Sequence, residues 1–440
     1  MASLSDRLRR LRSASPEPPA PEGPPGGAES EGSDAGARPS LAERLRCLDP
    51  VRRRTPSRQA PDESALADAL GAEIVAPGVL RLQRRWPLVR RHGRCGLKDC
   101  AAAMPYLLAP AADSAQGSST APAATTAASL ATTSPATWAF IDTETSGLAG
   151  GTGTWVFVCG IARLCGDALL LRQWLLTRLD AEASMLRLLA EELVQTSLLI
   201  SYNGKGFDLP LLTTRFRLAA GPDTPVPALD AIAHLDLLYP VRRSFARCWP
   251  DCRLSSVEQR LLGFTRIDDM PGAEAPAAWL DWLRRGDGGR LGAVLRHNRL
   301  DLISLAALVP ALVRVEQEPA AHGADVGAIA RGRLQRGDAV GARILLQSAA
   351  PTLPSADLLL LATLYRRSGL WPQALSLWNR LAAADEPAAL EALAKYYEHR
   401  QHDPRQAMVF ARRLPAGPER TRRCDRLGKK VRHQVSLPLL

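Results

Sequence analysis

"AFIDTETSGLAGGTGTWVF", residues 139–157, runs as an apolar strand that ends in two acids and then in a string of glycines. Alternate residues of a strand share a face, so Asp142 and Glu144 point the same way. Buried carboxylates are costly unless something compensates them, and a divalent cation with oxygen ligands is among the good compensators. A D-x-E pair alone is common on solvated faces. The reading therefore turns on whether other acids return to the same place. The turn "GLAGGTGT" lacks Cβ obstruction and suits either the close approach of a nucleotide backbone or a plain tight hairpin.

Outward from that stretch, "TWVFVCGIARL" and "ALLLRQWLL" add two more apolar runs with short gaps, an antiparallel three-stranded start. A helical pattern at 180–196, a strand "SLLISYN" and a helix "DLPLLTTRFRLAA" follow. Strands that give way to alternating helix and strand argue for an α/β domain with a mixed sheet flanked by helices. In "LLISYNGKGFDLPLL" (198–212) a strand ends at Asn203 and a Gly-containing loop delivers Asp208. Asp208 reads as a positioned carboxylate or as a helix N-cap, with Pro210 in the first turn, and both roles can coexist. Lys205 in the loop could touch a phosphate or lie in solvent. In "AVLRHNRLDLISLAALVPAL" (293–312), His297 and Asp301 are four apart on one side of a helix whose Leu302, Leu305, Ala306 and Val309 form a packing face. Asp236, in "HLDLLYP", reads first as a structural acid and second as an auxiliary site acid.

The chain of 440 residues has room for two or three cores. Its net charge of +11 is uneven. Residues 51–100 hold eleven Lys/Arg against five Asp/Glu, and 401–440 hold ten against three, while 142–301 hold eighteen against nineteen. Basic ends suit a polyanion such as nucleic acid, or reflect an Arg-rich composition. No apolar run approaches the roughly eighteen residues of a membrane span, and the start is not a secretory signal, so a cytoplasmic home and no membrane contact are expected. The eight cysteines lack paired CxxC spacing and are expected to be reduced and mostly buried.

Six regions follow from these textures: a basic, largely disordered arm (1–64), a small element with a β-hairpin (65–109), a low-complexity linker or loop (110–136), the α/β domain (137–315), helical repeats (320–414) and a basic C-terminal tail (415–440). In the repeats Gly337 and Gly369 are 32 residues apart, as are Ala342 and Ala374, with Ala407 following 33 later. A period near 34 with small residues at packing positions is tetratricopeptide-like, and a plain helical bundle is the alternative.

In order, D-x-E, N-x3-F-D and H-x3-D resemble the three exonuclease motifs of the DEDD superfamily, whose fold is ribonuclease-H-like. The stretches "FIDTETSGLAGGTGTWVF", "ISYNGKGFDLPLL", "HLDLLYPVRR", "CRLSSVEQRLLGF" and "HNRLDLISLAAL" are similar to the YprB-type ribonuclease-H-like family, over residues 70–315. The resemblance implies a metal-dependent 3′–5′ exonuclease acting on single-stranded DNA or RNA. It further implies two Mg2+ or Mn2+ ions held by Asp142, Glu144, Asp208 and Asp301, and phosphodiester hydrolysis by in-line displacement. His297 fits the residue that orients or deprotonates the attacking water. It stands at the Y-x3-D spacing, whereas the histidine subclass has H-x4-D, and one residue turns a helical side chain by about 100°. Asn203 and Lys205 are candidate substrate contacts. The rival readings are an inactive nucleic-acid-binding or scaffold protein that uses its repeats to hold a protein partner, and an endonuclease.

Overall fold

A computed structural model describes residues 62–108, 134–147, 151–221 and 226–435. The arm at 1–64 and the low-complexity stretch at 110–136 lie outside the described residues save for three positions each, as do residues 148–150 of the glycine turn.

Helix α1 (Glu63–Leu70) is capped by Asp62, whose side chain accepts from the Ala65 amide. Strands β1 (Glu73–Ala76) and β2 (Val79–Pro87) form the expected hairpin. Two short strands, β3 (Arg91–His92) and β4 (Cys95–Gly96), and helix α2 (Cys100–Leu108) follow. Strands β5 (Trp138–Thr145), β6 (Val156–Cys165) and β7 (Ala168–Leu176) make the antiparallel meander. Helix α3 (Glu182–Leu193) leads to β8 (Leu198–Ser201), α4 (Asp208–Leu218) to β9 (Ala233–Asp236), and α5 (Leu238–Phe245) closes that run. Helix α6 (Leu254–Val257) continues into a π-helical turn at Glu258–Leu262, before α7 (Ala275–Arg285) and the long α8 (Leu291–Gln317).

The strands join in the order β1-β2-β7-β6-β5-β8-β9 as one seven-stranded sheet. β8 is parallel to β5 and to β9, and the other pairs are antiparallel. The hairpin thus does more than its sequence announces: β2 pairs with β7 from Val79↔Leu176 to Pro87↔Ala168 and extends the sheet. Both faces are covered. Trp138 and Phe140 enter one core and Ala139 and Ile141 the other, which is why β5 reads as a continuous apolar run. Asp142 and Glu144 continue the Trp138/Phe140 alternation at the strand's end.

Helix α8, about 40 Å long at 1.5 Å per residue, packs on β5, β6 and β7. Its approach needs Gly160: this residue pairs with Asp142 across β5 and β6, and a Cβ there would overlap the Asn298 side chain.

Beyond it come α9 (Val326–Gln335), α10 (Ala339–Ser348), α11 (Ser355–Arg367), α12 (Trp371–Ala383), α13 (Pro387–His399), α14 (Pro404–Arg413) and α15 (Pro418–Val435). The turns inside the pairs α9/α10, α11/α12 and α13/α14 each contain a left-handed residue, Gly337 (φ 82°), Gly369 (φ 75°) and His402 (φ 53°). Ala342, Ala374 and Ala407 are each fully buried on the second helix of a pair. The basic stretch expected as a tail is helical as far as Val435. Two cationic side chains of α15, Arg426 and Lys430, lie 2.8 and 2.9 Å from the buried Glu398, and Arg423 lies 2.8 Å from Glu391. Of the seven described cysteines, all free, only Cys95, Cys100 and Cys159 are buried, so the expectation of mostly buried thiols does not hold.

Candidate metal centre

Three segments bring the predicted acids to one end of the sheet. β5 delivers Asp142 and Glu144, the β8–α4 loop ends at Asp208, and one face of α8 carries His297, Asn298, Asp301 and Ser304. Asp208 is the first residue of α4 and not its N-cap; Phe207 holds the cap position without a side-chain bond. The Asp208 carboxylate instead accepts from the Thr143 hydroxyl, which lies between the two acids of β5.

The electrostatics of this cluster are unbalanced. Burial, then the charges of Asp301, Asp208 and Glu144, push Asp142 well above the usual carboxylate range, and the Asn298 amide pulls the other way. Burial, then Asp301 and Asp208, do the same to Glu144. Asp208 is pushed up to about 6 by burial, tempered by its Thr143 hydrogen bond. Among the described residues none of these three carboxylates has an ion pair, and Glu144 Oε1 is buried with no hydrogen-bond partner at all. An orphaned buried carboxylate oxygen is rare, because it forfeits its hydration with nothing in return. That oxygen, together with a hard oxygen-donor set, fits a divalent cation such as Mg2+ or Mn2+. One ligand atom each from Glu144, His297 and Asp301 lies within 4.8 Å of the others, which adds the imidazole to the possible ligands.

Sequence reasoning missed the cationic side of the site. Arg266 ion-pairs with Glu258 at 2.7 Å, with Asp269 at 3.0 Å and with Asp301. Burial works against its charge, yet its hydrogen bond to Glu258 and the Asp301 charge outweigh that and raise its pKa. Glu258 in turn accepts from the Ser304 hydroxyl. Since that hydroxyl has one proton, His92 Nε2, 2.8 Å from Ser304 Oγ, is the donor in their bond. Burial, then the Arg266 charge, holds His92 down at about 4, consistent with a neutral ring. A polar thread thus runs from β3 to the acids.

His297 is held by Asp269, with Nδ1 2.7 Å from Oδ2, and its Nε2 lies 3.6 Å from Asp301 Oδ2. Arg266 Nη1 is 3.2 Å from the same Nδ1, but the shorter carboxylate contact makes Nδ1 a donor to Asp269, and Nε2 is the ring nitrogen nearer Asp301. Asn298, fully buried, donates to Asp142 Oδ2 at 2.8 Å and accepts from Gln173 at 2.8 Å. This amide fixes the rotamer of Asp142. The signal was visible: an Asn one residue after His297 falls on the apolar side of the helix.

The remaining candidates separate. Asp236 does not face the acids as a free carboxylate; it accepts from the backbone amides of Asn203 (2.8 Å), Lys205 (3.0 Å) and Leu238 (3.0 Å), the structural role expected first. Asn203 is exposed at φ 65°, and the Lys205 ammonium hangs 5.6 Å from the Tyr239 ring.

Residues 139–313 match the RNase_H superfamily. Over 284 residues the chain is 31% identical to the uncharacterized protein YprB of Bacillus subtilis (strain 168), covering 62% of this chain and 67% of that protein. The superfamily match takes in β6 to β9, nearly all of β5, the clustered acids and most of α8, and leaves out the β1–β2 hairpin. Among the described residues no helix is long and apolar enough to cross a membrane. The chain belongs to the RNase H superfamily and is a relative of YprB.

Proposed function

We propose that the chain is a DEDD-type exonuclease that hydrolyses single-stranded nucleic acid from its 3′ end with two divalent ions. The observation that carries this is the trio Asp142, Glu144 and Asp208, buried together with no ion pair of their own among the described residues and including an orphaned oxygen. These three with Asp301 would hold Mg2+ or Mn2+. Bound there, such ions supply Lewis-acid stabilisation of the phosphorane-like charge and activation of the attacking water. The chain's own residues do the rest. Asn298 and Thr143 fix the carboxylate rotamers, and Asp269 presents the His297 Nε2 lone pair where a water proton can be taken. Arg266 balances part of the charge through its ion pair with Asp301.

The helix pairs after the nuclease-like part are read as tetratricopeptide-like repeats, on the support of their recurring left-handed turns and buried alanines. Such repeats stack into extended surfaces and suit a protein partner.

End-labelled single-stranded DNA and RNA, incubated with the protein and Mn2+, test the hydrolytic reading. Stepwise shortening from the 3′ end, stopped by chelator and by Asp208→Asn, is expected. Cuts at internal positions would make the enzyme an endonuclease, and binding without any cleavage would make it a scaffold. A pH–rate profile whose acidic limb survives in His297→Ala would remove that residue as the base.

A further inference from the structure

The acids need a strand brought to them, and one cleft is joined through the chain to Asp208 on one side and to Glu258, the partner of Arg266, on the other. Its volume is about 620 Å3, and Asn203, Arg242, Trp249 and Arg253 line it. One wall is Tyr202 and Asn203, at the start of the loop that ends at Asp208. The other is the start of α6, where Glu258, the partner of Arg266, stands one turn beyond Leu254. We propose that this cleft seats the single strand on its way to the acids, by base stacking on Trp249 and phosphate contacts from Arg242 and Arg253. The inference rests on the nucleic-acid reading above and names how that substrate is held.

Three features carry it. Trp249 is preset: its indole stacks on Phe245 with centroids 3.8 Å apart and planes 8° apart, so little freedom is lost when a base adds to it. The Arg260 guanidinium sits loosely over the same ring, 5.7 Å from its centroid. Arg242 and Arg253 are exposed, and among the described residues neither guanidinium makes a hydrogen bond or an ion pair. The one acid of the cleft, Asp251, is already engaged, because it accepts from the Arg253 amide at 2.9 Å and bonds the Ser256 side chain. Charge facing the cleft is therefore net positive. Finally, the loop between cleft and acids is held in a specific shape. Asn203 is kept at φ 65°, a conformation few side chains adopt, by the Asp236 carboxylate, and the Tyr202 hydroxyl donates across the cleft to the Cys252 carbonyl. Aromatic stacking plus exposed arginines is the chemistry of sequence-tolerant single-strand binding.

The test uses the full chain in chelator, where no turnover occurs, and fluorescein-labelled dT and rU dodecamers read by anisotropy. Trp249→Ala should weaken both by about tenfold, and Trp249→Phe should keep most of the affinity. The double variant Arg242→Gln/Arg253→Gln should weaken binding and flatten the log Kd–log salt slope by about 1.4, at about 0.7 per lost phosphate contact. Both arginines are exposed, so the double variant keeps the fold, as its unchanged melting temperature would verify. Variants that bind like the wild type overturn the seat, even if the wild type cleaves with Mn2+. A poly-glutamate peptide that competes as well as the oligonucleotides, and loses affinity in the same variants, also overturns it in favour of an acidic protein. Weakened binding in the variants, from a wild type that never cleaves, upholds the seat and removes the hydrolytic reading alone.

Discussion

Glu144 in the sheet and Glu398 in the helical region are covered to a similar extent, 7% and 4% exposed, yet their carboxylates are driven in opposite directions. Burial opposes the Glu398 charge, but hydrogen bonds from Arg426 and Lys430 overcome it and hold the group down at about 2. Glu144 has burial and the neighbouring acids pushing it up, and one of its oxygens has no partner. Glu144 lies the deeper of the two, and the company differs as well. A buried acid that is fully paired is part of the scaffold, whereas one left in the company of other acids marks a place where something cationic is to arrive.

The comparison can be broken at its strongest point first. Asp142→Asn should lower Mn2+-dependent cleavage by on the order of 10³-fold, because it removes a proposed metal ligand and leaves the fold intact; initial rates on a labelled oligonucleotide measure this. Next, Asn298→Ala should cut activity by about 10- to 100-fold, the usual loss when a group orienting a metal ligand is removed. Saturation kinetics should put most of that loss in kcat. Glu398→Ala should leave cleavage unchanged and cost about 1–2 kcal/mol of stability, the low side for a buried acid because Arg426 and Lys430 are half exposed and can rehydrate. Chemical denaturation reads that difference.

The smallest effect is one of sign. For Glu398 the folded pKa is depressed, so its stabilisation is present above the ordinary glutamate pKa of 4.5 and is lost as pH falls from there toward about 2. Glu144 runs the other way. Its folded pKa is raised, so its contribution is intact below 4.5 and is lost as pH rises through the folded value. In chelator, Glu144→Gln should therefore gain on the wild type in melting temperature as pH goes from 5 to 8. A constant gap across that range would count against the unbalanced cluster.

The acids and the order of their elements were legible because strand period and helix period place D-x-E and H-x3-D on single faces. The mixed sheet was legible for the same reason. What escaped the sequence was what depends on approach in space. That β2 would pair with β7 is hidden because the hairpin and β7 are some ninety residues apart and each reads as a complete strand. Arg266 lies in "GFTRIDD", a stretch whose charges look solvated until α8 places Asp301 against it. Asn298 stands beside His297 in the H-x3-D motif, and the glycine opposite it, Gly160, makes room for its amide at Asp142. Ligands follow from local pattern, and the residues that hold them follow from packing.

The central claim is that the acids of β5 and α4 are unsatisfied until a divalent ion binds. Thermal melts of the wild type and of the Asp142→Asn/Asp208→Asn variant, in chelator and with Mn2+ added, address it without any substrate. The wild type should melt lower than the variant in chelator and gain several degrees with Mn2+, while the variant gains almost nothing. A wild type whose melting temperature ignores Mn2+ at millimolar concentration would contradict the account.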